Sequence, residues 1–343
     1  MRKILLASTS LAAMLAAPAA AETVIGNALT APIRTSTVKG GTDADDARLA
    51  ASGSIKPTTS GPAITIDSNH KVVNEGTIEF ININGATGIF ANDGVTSGIT
   101  IATGGKINLG ETYAPTDIDN DGDIDGPFAV GSNRVGIATG GAFTGNITNG
   151  GVITVKGNDS AGIRLGGPLT GNFVNNGTVQ VLGDRALGIG LQDVNGNVRL
   201  AGEISGTGVD AMAARLAGNI SGALVVQGNL TATGYRTVTP PSDPSKLDAD
   251  DLLIGGPALS IEGNVGGGII LAIPPKDSSS TDNDEDKDGI EDSKEGIAAV
   301  RSFGSAAAIR IGSATQAVAN GPDAGTGTGF GMVIDGSGPG NRL

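Results

Sequence analysis

Apolar and polar residues alternate in short runs along most of the chain, and clusters of glycine and asparagine separate the runs. The pattern is clearest from Gly145 to Leu191, where it is written twice. The first copy reads Gly145-Asn146, then Asn149-Gly150-Gly151-Val152-Ile153-Thr154-Val155, then Gly162-Ile163-Arg164-Leu165. The second reads Gly171-Asn172, then Asn175-Asn176-Gly177-Thr178-Val179-Gln180-Val181, then Gly188-Ile189-Gly190-Leu191. Positions 145 and 171, 151 and 177, and 162 and 188 are each 26 residues apart. Alternation puts Ile153, Val155, Ile163, Leu165 and their counterparts on one face of short strands, and the Gly/Asn clusters read as turns. Strands and turns repeated at a fixed period predict a solenoid.

A single copy holds too few apolar residues to bury a core, so it must stack on its neighbours. The expected fold is therefore all-β: a single-stranded, right-handed parallel β-helix with polar loop insertions. Equivalent strands would pair about 4.8 Å apart along the axis. Inward Ile, Val and Leu would form columns, and Asn149 and Asn175 a hydrogen-bonded ladder. Glycine is expected to supply positive φ at the corners. Arg164, between inward-facing Ile163 and Leu165, is expected to point to solvent.

Looser copies extend the coil in both directions. Asn74-Glu75-Gly76-Thr77-Ile78 matches Asn175-Asn176-Gly177-Thr178-Val179, while Gly202-Glu203-Ile204 and Gly228-Asn229-Leu230 are again 26 apart. Thr23 to Val38 is expected to form the first or a capping turn. Three polar segments, about 111–126, 237–251 and 274–296, interrupt the period and are expected to leave the coil as loops.

Residues 1–21 have the layout of a secretory signal, and the solenoid would occupy 22–343. Arg2-Lys3 precede an apolar run from Ile4 to Ala17, and Ala19-Ala20-Ala21 offer a cleavage site before Glu22. No later run reaches the about 20 apolar residues of a membrane-spanning helix. Export is expected, to the cell surface, the outer membrane or the medium.

Composition narrows the partners. With 38% hydrophobic but only 3% aromatic residues, the chain suits a long thin core rather than a thick one. It has no cysteine, so an exported form would be stable without disulfides. The formal charge of −13 becomes −15 without Arg2 and Lys3. Such a surface repels phosphate backbones, and no Lys/Arg stripe offsets it, so a nucleic-acid partner is not expected. Small cations are the natural counter-ligands.

Two insertions carry the spacing that wraps oxygen ligands round a hard cation. In the first, Asp117, Asp119, Asp121, Gly122, Asp123 and Asp125 stand at positions 1, 3, 5, 6, 7 and 9 of a loop whose twelfth residue is Phe128. In the second, Asp284, Asp286, Asp288, Gly289, Ile290, Asp292 and Glu295 stand at positions 1, 3, 5, 6, 7, 9 and 12. Alternate carboxylates point inward, glycine permits the bend, the residue at position 7 contributes its carbonyl, and a terminal Glu can bind through both oxygens. These loops resemble EF-hand loops and, more closely, the thrombospondin type-3 repeat. The implied ion is a structural Ca2+, with an affinity of order 10⁻⁴–10⁻³ M as in extracellular modules.

No catalytic constellation emerges. The single histidine, His70, lies in the polar run Asp67-Ser68-Asn69-His70-Lys71 and reads as an exposed turn residue. Zinc ligation fails for want of Cys and His.

The signal-like segment, the lack of cysteine, the Gly/Asn-rich repeats and the Asp-x-Asp-x-Asp-Gly insertions together resemble the passenger region of bacterial autotransporters. The resemblance runs over nearly the whole mature chain, through phrases such as Asn74-Glu75-Gly76-Thr77-Ile78 and Asn176-Gly177-Thr178-Val179. It implies secretion across the inner membrane and display on, or release from, the outer surface. The family's translocator barrel needs many strands with aromatic girdles. Seven Phe, two Tyr and no Trp do not supply one, so the chain is expected to be the N-terminal part of a longer protein, the alternative being a barrel that is separate or lost; the membrane would be touched only through a barrel not present in this chain. The function implied is a non-enzymatic adhesion or interaction stalk that contacts host cells, glycans or sister chains. The alternatives are a polysaccharide-acting β-helix enzyme and a self-associating surface matrix component.

Overall fold

The computed structural model describes residues 22–118, 124–239, 242–274, 278, 281–283, 292–294, 296–313, 315, 317–322 and 331–334. The backbone there is a parallel β-helix. One turn runs through the strand Phe173–Asn175, a corner, Thr178–Leu182, a second corner, Leu187–Leu191 and the short Val194–Asn195 before Val198–Leu200 begins the next. Each strand joins its equivalents in the turns before and after. Three long sheets of ten, nine and nine strands result, with a fourth of four; they are called here the first, second, third and fourth sheets in the order of that turn. Every strand pairing is parallel, and the first turn is built from Thr23–Ile25, Ala28–Leu29 and Ile33–Arg34. Just beyond it Lys39 and Asp43 form an isolated antiparallel bridge. Among the described residues the only helical turns are the 3-10 segments Pro244–Lys246 and Asp292–Lys294.

Alternation fixes the core. In the second sheet Ile55, Ile78, Ile107, Ile153, Val179, Ile204 and Leu230 stack in register and are all buried. Val72, Ile99, Ile147, Phe173, Val198, Leu224 and Ile269 form the matching column of the first sheet. The third contributes Ile64, Ile89, Ile137, Ile163 and Ile189. Each such side chain contributes about 1.5–3 kcal/mol by leaving water, and only a neighbouring turn can provide the dry contact.

Close approach explains some of the repeat's glycines, and the expected positive φ explains others. Gly105, Gly151, Gly177, Gly202 and Gly228 line one corner, and none has positive φ. A Cβ on Gly151 would lie 2.3 Å from the Gly105 carbonyl oxygen, and one on Gly177 would lie 2.1 Å from that of Gly151. The turns stack here backbone on backbone, which leaves no room for a methyl. Positive φ belongs to other positions, such as Gly104, beside Gly105, at 94°, and Gly145 and Gly171 at 127° and 146°.

Asparagine and aspartate tie the corners together. Asn146 Oδ1 accepts from the Asn172 amide, Asn172 Oδ1 from Asn197, and Asn197 Oδ1 from Ala223, each one turn further on. Asp193, Asn219 and Asn264 repeat this at another corner. Backbone donors that a bend would leave unpaired are thereby satisfied. The ladder expected of Asn149 and Asn175 is buried and is a single step: Asn149 Nδ2 donates to Asn175 Oδ1 at 2.7 Å. Ile101 and Leu200 occupy the adjoining register positions, so it goes no further. His70 is a corner residue whose side chain is partly exposed, with Nδ1 3.2 Å from Asp46 Oδ1.

Two gaps in the strand pattern share one corner. Strands are absent from the described residues between Lys106–Gly110 and Val135–Thr139, and again, apart from a 3-10 turn, between Asn229–Thr233 and Leu259–Ile261. Both segments leave the second sheet and return to the third. Four turns separate them, about 19 Å at the usual strand spacing, so they lie along the same flank. The third gap, between Ile269–Leu271 and Ala299–Phe303, links the first sheet to the second.

Candidate functional site

The first insertion is clamped to the coil where it leaves and where it returns. Glu111 follows the last residue of its strand, and its carboxylate accepts from the amides of Val130 (3.0 Å) and Gly131 (2.7 Å). Arg134 Nη1 reaches the same carboxylate at 3.2 Å, and both side chains are at most 2% exposed. Lys156 Nζ lies 3.6 Å away. The guanidinium also donates to the carbonyls of Ile83 and Lys156 and to Asn84. Burial alone would push the Glu111 carboxyl up, but the two amides, Arg134 and Lys156 outweigh it and hold the group below its ordinary value.

From this clamp the insertion reaches towards the second one. Arg236 donates to the Gly126 carbonyl and sits 4.5 Å from the centre of the buried Phe128 ring. Asp250 Oδ2 accepts from the Gly126 amide at 2.9 Å, across 124 residues of sequence. These contacts bring the carboxylates of Asp125, Asp248 and Asp250 together, with one oxygen of each lying within 4.8 Å of the others. Burial raises the pKa of Asp250, and the neighbouring Asp248 raises it further. Crowded carboxylates of this kind are relieved by a proton or by a cation.

The residues singled out by loop spacing fare differently. Asp119, Asp121 and Asp123 lie outside the described residues, as do Asp284, Asp286, Asp288, Ile290 and Glu295. Asp117 is described but does not belong to the three-carboxylate group. Asp125 does belong to it, and its Oδ2 also accepts from the Ile118 amide, drawing the two ends of the loop together. Asp292 is buried at the start of its 3-10 turn, where its amide donates to Asn283 O at 2.8 Å. Asp248 and Asp250 were not indicated by spacing. The signal lay in the run Asp248-Ala249-Asp250-Asp251 of the second insertion, which becomes meaningful only once both loops share a flank.

The outer face of the third sheet carries a second feature. Arg34, Thr65, Phe90, Ala138, Arg164, Gly190, Arg215, Ser260 and Arg310 stand in one register column. Arg34 pairs with Asp67, while Arg215 and Arg310 converge on Glu262 at 2.8 and 2.9 Å. Arg215 above all, helped by Ser260 and Arg310, lowers the Glu262 pKa from 4.5 to about 2. A depressed carboxylate stabilises the fold above its unfolded value and ceases to do so as the pH falls through the folded one. Glu262→Gln should therefore cost about 1 kcal/mol at pH 7, a figure reduced because both arginines are nearly half exposed to solvent. Denaturation measured against pH should show that difference shrinking below about pH 4.5 and vanishing near pH 2.

The chain matches no family model, no curated protein and no solved structure.

Proposed function

We propose that the protein is a non-enzymatic exported passenger of the autotransporter type, a surface stalk whose acidic flank is stiffened by calcium. The observation that supports this most is the meeting of two insertions from turns about 19 Å apart on one side of the coil. The coil supplies reach and rigidity, and the insertions supply a side surface that varies independently of the core. Asp125, Asp248 and Asp250 are the described residues suited to hold the ion, with the backbone of Gly126 fixing Asp250. Calcium there would neutralise the crowded carboxylates and lock one insertion against the other. Its part is structural.

Export is tested by expressing the whole chain in a Gram-negative host and sequencing the N-terminus of the product. Cleavage after Ala21, with the protein outside the cytoplasm, supports the reading; an intact N-terminus in the cytoplasm overturns it. For calcium, the expected result is that 10 mM Ca2+ slows proteolytic cleavage within 111–126 and 237–251 about tenfold, the protection given by a ligand at roughly ten times its Kd. EGTA should reverse this, and D248N/D250N should abolish it. Unchanged cleavage would remove calcium from the account.

A further inference from the structure

Arg164 stands apart. Among the described residues it is the arginine with no hydrogen-bond or ion-pair partner, on a protein of formal charge −13. Its register neighbours are Ala138 and Gly190, too small to cover or contact the guanidinium. An unpaired arginine between two minimal side chains is open to a ligand from solvent.

The surface around it is concave. A depression of about 440 Å³ extends from Arg164 to Phe90, with Thr87, Asn133 and Gln192 among its lining residues. That volume lies within the roughly 300–1,000 Å³ range of small-molecule sites. Phe90 is half-buried and exposes part of its ring to the depression; the ring packs over Gly140, where a Cβ would come within 2.9 Å of Cζ. Two register steps separate Phe90 from Arg164, about 10 Å of backbone. The depression therefore offers a flat apolar face, a free guanidinium, and amide and hydroxyl groups in its lining that can both donate and accept.

We infer that this depression binds a carboxylated sugar residue of an acidic glycan, the carboxylate on Arg164 and the less polar ring face on Phe90. A planar guanidinium takes a carboxylate through two parallel hydrogen bonds, and an aromatic ring offers the extended apolar surface that a sugar's C–H face requires. A peptide fits less well. Extended peptides dock by adding a strand to a free sheet edge, whereas these strands are interior, each paired on both sides. The inference deepens the stalk reading, from which it takes only the premise that the flank of the coil meets other molecules.

The test is a calorimetric titration of the full chain with trigalacturonate and with N-acetylneuraminic acid, beside methyl-esterified trigalacturonate and a glutamate-rich peptide. At least one of the two acidic sugars should bind, with the neutral ester and the peptide much weaker. R164A should weaken binding about tenfold or more, as expected for loss of a charge-assisted bidentate pair, and F90A several-fold. R34A, which changes a paired arginine in the same column, should leave affinity unchanged. Absence of binding to both acidic sugars, equal affinity in R164A, or preference for the peptide would overturn the assignment. None of these outcomes bears on cleavage after Ala21, so the inference and the export reading fail separately.

Discussion

Gly151→Ala should lower stability by about 3 kcal/mol or more, while Gly150→Ala, the same change one residue earlier, should cost less than about 1 kcal/mol. Neither glycine has positive φ, so backbone strain does not separate them. Space does. A methyl on Gly150 would have its nearest neighbour at 3.4 Å, an ordinary contact, whereas one on Gly151 would sit 2.3 Å from the Gly105 carbonyl oxygen and 2.8 Å from that of Ala102. Those atoms belong to the backbone and cannot rotate aside, so the turns must part at a corner that the buried columns hold shut. Urea denaturation of the two variants is the measurement. Because a stacked repeat can unfold in segments, the midpoint shift is a better readout than an extrapolated free energy.

Arg134→Met should cost about 3–5 kcal/mol, the usual consequence of leaving a buried charge without its partner. The guanidinium is enclosed with Glu111, and its loss would deprive the Ile83 and Lys156 carbonyls of a donor as well. Glu111 would retain two amides and a more distant Lys156, too little for a carboxylate in that setting. Arg134→Lys should recover little, since an ammonium cannot reproduce the planar fork. Adding Glu111→Met to Arg134→Met should restore part of the lost stability, because the uncompensated charge is removed. Thermal melts would show the loss, and faster proteolysis within 111–126 would show that the clamp anchors the insertion.

Much of the coil is legible in the sequence because its periodic signals concern neighbouring turns. The spacing of Gly151 and Gly177 marks a corner repeated every turn, and the alternation of Ile153 and Val155 gives the inward face. The same alternation places Arg164 outside. The physical role of the corner glycines was harder to read, since a string of letters does not distinguish a position needing unusual φ from one touched by a neighbouring turn's carbonyl. Arg134 was hidden for a related reason. It sits in the polar run Gly131-Ser132-Asn133-Arg134, where nothing periodic indicates burial, and its partner Glu111 lies at the far end of the insertion.

The acidic site illustrates the limit more sharply. Asp-x-Asp spacing reports which oxygens one loop can turn towards itself, and it selected Asp125. It carries no information about Asp248 and Asp250, which arrive because two insertions leave the coil at the same corner four turns apart. Likewise, Phe90 and Arg164 belong to one depression because the intervening strand contributes Ala138.

The stacking itself is measured most directly by spin-label distances along the outer column of the second sheet, a simple experiment in a chain without cysteine. Glu79, Asn108, Thr154, Gln180, Ser205, Thr231 and Arg301 follow one another in register. Cysteines introduced in pairs there should give distances that rise by about 4.8 Å for each turn crossed, reaching about 29 Å between 79 and 301. Distances that fail to grow with the number of turns would contradict the coil.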